Sequence, residues 1–124
     1  MEYSDAPSDV WRPLHWRGAT QADIRSFPQA VRREIGHALY AAQRGGTDPA
    51  AKPLHGFGGG SVLEIIVMHR GGTWRAVYTV RFADAVYVLH AFQKKSKTVI
   101  ATPKKEIDLI RQRLAEVERE RRAR

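Results

Sequence analysis

SVLEIIVMHRGGTWRAVYTVRFADAVYVLHAF, residues 61–92, decides the fold. Ser61–His69 is rich in Val and Ile, and Arg70-Gly71-Gly72-Thr73 reads as a turn. Trp74–Phe82 alternates, with Trp74, Ala76, Tyr78 and Val80 on one face and Arg75, Val77, Thr79 and Arg81 on the other. A second short turn near Ala83-Asp84 leads to Ala85–Phe92, which is apolar on both faces and so predicts an interior strand. Three consecutive strands with short turns make an antiparallel meander.

The flanks predict helices. Ser26 and Gln29 have capping-box spacing with Pro28 in the first turn, and Val31, Ile35, Leu39 and Ala42 form a stripe that Gly45-Gly46 ends. Residues 20–25 predict a shorter helix before it, and Pro13–Arg17 a weak first strand. Residues 45–60 read as a loop, through Asp48-Pro49, Pro53 and Gly58-Gly59-Gly60. After the meander, Thr102 is expected to cap a helix with Pro103 at its first position and Ile107, Ile110, Leu114 and Val117 as its stripe. The expected class is α+β: a small antiparallel sheet packed by two N-terminal helices and a C-terminal helix.

A chain of 124 residues is room for one domain, expected over 13–118, with a flexible lead over 1–12 and a basic tail over 119–124. The absence of cysteine excludes disulfides, a thiolate nucleophile and Cys-based metal sites. No apolar run approaches the ~18 residues of a membrane span, and the start, MEYSDAPSDVW, is unlike a signal peptide, so a cytoplasmic protein is expected. The five histidines (His15, His37, His55, His69, His90) show no tight metal-ligand spacing, and neither metal nor cofactor is expected.

Charge is the functional signal. The net is +8, and residues 1–60 contribute +1 of it while residues 61–124 contribute +7. Such a balance suits a polyanionic partner, with nucleic acid as the first candidate. Arg75 and Arg81 share a strand face, and summing positions about the turn sets Arg75 opposite residue 91 or 92, close to Lys94, Lys95 and Lys97. Two or more cations converging there make a phosphate site; the alternative is a solvated basic edge that discourages sheet pairing. The glycines of HGFGGG (residues 55–60) precede a strand and lack the Walker spacing, so they read as a flexible loop. His55 in that loop and His90 beside the lysine cluster are candidate proton shuttles; isolated surface or core histidines are the alternative.

Residues 52–114 resemble the phage-derived HigB-like branch of the RelE/ParE toxin superfamily, through KPLHGFGGG, SVLEI, TWRAVYTV, VYVLHAFQKKSK and TPKKEIDLIRQRL. FPQAVRREIGHALYAAQRG is similar to the family's second helix, so the resemblance extends over roughly residues 13–115. It implies the toxin of a type II toxin–antitoxin pair: a metal-independent endonuclease of mRNA in the ribosomal A site, which inhibits translation. The RNA 2′-hydroxyl attacks the adjacent phosphate and leaves a cyclic phosphate and a free 5′-hydroxyl. A nearby-encoded helix-turn-helix antitoxin is the implied partner, with mRNA and ribosome as targets and no membrane.

By the family's R-x-x-Y-x-V pattern, the catalytic arginine maps to Arg75 and the basic pair after the next strand to Lys94 and Lys95. Arg75 would stabilise the growing phosphate charge, Lys94 or Lys95 would add a cation and could move a proton, and Lys97 and Arg81 would hold flanking RNA. Tyr78 faces away from Arg75 and reads as packing. The chain departs from RelE in two ways. Where RelE presents lysines on the first meander strand, VLEIIVM offers only Glu64, either a general base or a structural partner of Arg75 or Lys95. Nothing aromatic follows Phe92. A ParE-like DNA gyrase inhibitor and a non-enzymatic nucleic-acid-binding domain are the competing readings on the same fold.

Overall fold

The computed structural model describes residues 11–94 and 101–124. The chain runs β1 (Leu14–Trp16), α1 (Thr20–Arg25), α2 (Gln29–Gln43), β2 (Ala51–Pro53), β3 (Val62–His69), β4 (Gly72–Phe82), β5 (Ala85–Lys94) and α3 (Lys104–Arg122). The strands form one sheet in the order β1-β5-β4-β3-β2. The α+β class is as expected. The sheet is antiparallel except at one edge, where β1 pairs parallel to β5.

The β3–β4 hairpin follows from its turn. Arg70 (φ 47°) and Gly71 (φ 84°) both adopt left-handed backbone, the geometry whose twist matches flanking strands. His69 therefore pairs with Gly72, and β4 begins two residues earlier than the alternation from Trp74 suggests. Between β4 and β5, Val77 faces His90 and Tyr78 faces Val88, so Leu89 is an extra residue that bends β5.

Each sheet face has its own core. Trp74, Ala76 and Tyr78 pack with Val31, Ile35 and Leu39 of α2, while Val77 and Leu89 pack with Ile110, Leu114 and Val117 of α3. Each such aliphatic side chain contributes about 1.5–3 kcal/mol relative to exposure. The α2 stripe is buried as its spacing requires. The helix ends in a Schellman turn: Gly46 N–H donates to Ala41 O (2.8 Å) and Gly45 N–H to Ala42 O (3.0 Å), with Gly45 at φ 85°.

Three local expectations are corrected. No capping box forms at α2: the Ser26 hydroxyl donates to Asp23 O (2.6 Å) inside the end of α1, and Pro28 takes the cap position. Thr102 does not cap α3; Pro103 holds that place because the Thr102 hydroxyl is committed to the sheet. The segment read as a loop over 45–60 contains β2, which pairs Ala51 with Ile65 and Pro53 with Leu63. Pro53 is tolerated there because the strand is an edge.

Arg12, in the expected lead, is tied down: its guanidinium donates to Phe82 O (3.0 Å) and its amide to Gln43 O (3.0 Å). The expected boundary at 118/119 falls inside α3, which continues to Arg122.

Candidate active site

Register and alternation place one set of side chains on the α3 side of the sheet. These are Glu64, Ile66 and Met68 from β3, Thr73, Arg75 and Val77 from β4, and His90, Phe92 and Lys94 from β5. Arg75 faces Phe92 across the ladder, as position counting requires, and Lys94 faces Thr73 one step along the same face. Among the described residues, α3 covers one end of this surface with Ile110, Leu114 and Val117, and a groove lies at the other end beside its N-terminus.

Arg75 lies beneath that end, 1% exposed, and does not itself line the groove there. Its Nη1 donates to Thr102 Oγ1 (3.1 Å) and lies 3.5 Å from Glu64 Oε2. Thr102 in turn donates to the same Glu64 oxygen (2.7 Å). A buried guanidinium thus carries its counter-charge and a bridging hydroxyl, which offset part of the cost of desolvating the pair. Thr102 also ties the approach to α3 onto β3 and β4.

Beside this triad lies a groove of about 910 Å³. Glu64, Ile66 and Met68 form one wall, Pro53, Leu54 and His55 another, and Thr102 and Ile107 a third. Lys52, Lys104 and Arg111 bring positive charge to its rim. Arg111 is held over the Phe57 ring (4.6 Å) and donates to Gly56 O (3.3 Å), which orders the glycine-rich turn next to His55.

The sequence-nominated residues separate clearly. Glu64 and Arg75 meet as the ion pair foreseen as one of two roles for Glu64. Lys94 shares their face, and His55 is exposed on the groove wall. His90 is buried between β5 and α3. Its Nε2 lies 2.7 Å from Glu106 Oε1 and its Nδ1 3.5 Å from Arg113 Nη1. A carboxylate on one side and a guanidinium on the other assign the ring proton to Nε2. These partners and stacking on Phe92 (4.9 Å) occupy the ring, and His90 does not line the groove.

Arg81 shares the sheet side of Arg75 but not its neighbourhood. It stands at the far end of β4, ion-paired with Glu118 of α3 and bonded to Ser61 Oγ (3.1 Å). The convergence of Arg81 with Arg75 on one patch is therefore not seen. Lys95 and Lys97 lie outside the described residues. Tyr78 is fully buried on the opposite face, as its packing role requires, and burial raises its phenol to about pKa 12. Among the described residues, no three His, Asp or Glu side chains stand close enough to hold a metal ion.

Thr102, Lys52, Lys104 and Arg111 are the site residues that sequence reasoning missed. Thr102 read as a cap because Thr-Pro before a helical stripe is a helix-start pattern, and nothing local signals a hydroxyl turned back to the sheet. Lys52 was hidden by the unrecognised β2.

Among the described residues, five strands and three helices, with an arginine buried on the sheet behind a groove, make a small RelE-like α+β fold. The chain belongs to the phage-derived Gp49-like family: the model described as "Phage derived protein Gp49-like (DUF891)" matches residues 22–115. That family is part of the RelE/HigB-like toxin superfamily. No curated protein and no solved structure matches the chain. Among the described residues, no helix is long and apolar enough to cross a membrane.

Proposed function

We propose that this chain is the toxin of a type II toxin–antitoxin pair, of the HigB-like branch, and cuts ribosome-bound mRNA without a metal. The observation that carries the reading is Arg75, buried directly behind Glu64 and Thr102, which line a groove with His55 on its wall and lysines around it, in a chain of this family.

In this mechanism the RNA 2′-oxygen attacks the adjacent phosphorus, the bond to the 5′-oxygen breaks, and the products are a 2′,3′-cyclic phosphate and a free 5′-hydroxyl. Negative charge grows on the non-bridging oxygens. Arg75 reaches it by exchanging its Thr102 contact for a phosphate oxygen, and Lys94 with Lys95 adds a second cation. Glu64 lines the groove and is the nearest carboxylate to accept the 2′-hydroxyl proton. His55, on the exposed wall, gives a proton to the leaving 5′-oxygen. Lys97 and Arg81 contact flanking RNA, Arg81 by exchanging Glu118 for a phosphate. A helix-turn-helix antitoxin encoded nearby holds the toxin in check.

The test is induced expression with and without the adjacent gene, with new 5′ ends of mRNA mapped. Cuts at fixed reading-frame positions that vanish in Arg75→Ala and Lys94→Ala/Lys95→Ala variants, each shown by circular dichroism to be folded like the parent, support the reading. His55→Ala, at an exposed position, is expected to lower cleavage about 10²-fold with its melting temperature unchanged. Growth arrest with intact mRNA would turn the search to DNA gyrase. Absence of both arrest and cuts would leave a basic binding domain.

A further inference from the structure

Among the described residues, the sheet is unpaired along half of one edge. Leu54 N–H donates to Val62 O (2.8 Å), so the backbone groups of β3 residues 62, 64, 66 and 68 face β2. Yet β2 ends at Ala51, paired with Ile65. Upstream of it the chain turns away: Ala51 N–H goes to Asp48 O (2.9 Å) and Ala50 N–H to Asp48 Oδ1 (2.8 Å). Among the described residues, no strand lies along the outward backbone groups of Ile66 and Met68.

This bare edge borders the groove. The side chains of Ile66 and Met68 line it, and Met68 is 57% exposed, an unusual place for a large apolar residue. Exposed strand edges in natural proteins are ordinarily blunted by lysine, proline or a bulge. β2 carries Lys52 and Pro53, whereas the continuing edge Ile66–His69 has neither. Backbone donors and acceptors, an apolar wall and a positive rim thus stand together.

We propose that Ile66–His69 receives an added β-strand from a protein partner: an extended segment with apolar residues at alternate positions and acidic residues flanking them. The residues opposite Ile66 and Met68 fall on the same sheet face and enter the groove. The flanking carboxylates meet Lys52, Lys104 and Arg111. Backbone pairing supplies affinity, and the groove and rim select for apolar alternation and negative charge. On the function proposed above, this partner is the antitoxin, and its strand would shut the groove to RNA. The edge geometry itself does not rest on that function.

The test uses the full chain, ¹⁵N-labelled, and a soluble decapeptide with Val and Ser alternating at its centre and two Glu at each end. Titration is expected to shift the amides of Ile66 and Met68 together with their neighbours. The same peptide N-methylated at alternate residues, which cannot complete a ladder, is expected to shift none. Met68→Pro removes one outward N–H at an edge position that tolerates proline, and is expected to weaken peptide binding about tenfold. Circular dichroism checks that this variant keeps its sheet.

Shifts confined to another surface, equal binding of the N-methylated peptide, or no shift at millimolar peptide overturns the proposal. So does a single-stranded oligonucleotide moving the same amides where the peptide moves none, since the edge would then belong to RNA. None of these outcomes depends on mRNA cleavage. Loss of cleavage in cells with peptide binding intact would overturn the proposed function alone.

Discussion

At the C-terminal end of α3, three arginines are engaged in holding the domain closed: Arg17 on Glu120, Arg81 on Glu118, and Arg121 on Asp84 and the Tyr87 hydroxyl. At its N-terminal end, Arg75 is held on Glu64 and Thr102, while Lys52, Lys104 and Arg111 border an open groove. One helix meets one sheet face at both ends, yet charge works as a clasp at the first and surrounds a cavity at the second. A formal charge of +8 therefore says little about where a polyanion binds. Lys104, on the rim, is itself paired with Asp108 one turn along α3 (2.8 Å), so it is pairing between elements, not pairing as such, that separates the clasp from the rim.

The sharpest test of that contrast removes one arginine from each end. Arg75→Ala strands a buried carboxylate and is expected to lower unfolding free energy by about 3–5 kcal/mol in urea melts. Arg81→Ala breaks a half-exposed pair and is expected to cost under about 1 kcal/mol. Equal losses would erase the distinction. Thr102→Val, which keeps shape but deletes the bridge between Arg75 and Glu64, is expected to cost about 1–3 kcal/mol by the same measurement.

Tyr78 offers a control on the opposite face. Its hydroxyl is buried with no hydrogen-bond partner among the described residues, so Tyr78→Phe is expected to hold stability or raise it by about 1 kcal/mol. Because folding raises the Tyr78 pKa to about 12, its stability contribution is complete below the usual phenol range and is lost as pH rises through that value. Absorbance titration of the folded chain should show one tyrosine ionising late, and the Phe variant should lack it.

The smallest effect is expected from acid at the clasp. Hydrogen bonds from Arg121 and Arg17 hold Asp84 and Glu120 below the ordinary carboxylate range. Their contribution is present above that range, near pH 4, and fades as pH falls through the lowered values. Melting temperature should decline less between pH 5 and pH 3 in an Asp84→Asn/Glu120→Gln variant than in the parent. An unchanged slope would show that these exposed pairs contribute nothing measurable.

The meander and the two long helices were legible because period-two and period-3.6 patterns are written into contiguous residues. Even the cross-strand position of Arg75 followed, since a short turn makes register a matter of counting. What escaped was encoded non-locally. β2 is three residues inside a loop-like composition, and only its partner β3 makes it a strand. Thr102 carries a local cap signal that the buried Arg75–Glu64 pair overrides. Arg81 follows the same alternation as Arg75, but strand length and Glu118 on α3 separate their fates. Of the histidines, pattern gave His55 and His90 equal standing; packing leaves His55 open and engages both ring nitrogens of His90.

The long reach of these contacts also sets the order in which the molecule can be completed. Arg12 bonds a carbonyl 70 residues later, Glu64 waits 38 residues for Thr102, and Arg17 finds Glu120 only across 103 residues. Pairings so distant along the chain form slowly and late. During synthesis the meander can assemble while β1 is unclasped and the Arg75 pair lacks its hydroxyl bridge. The nascent chain therefore passes through a stage in which its sheet is built and its groove is unfinished, and the groove is finished only when the final helix arrives.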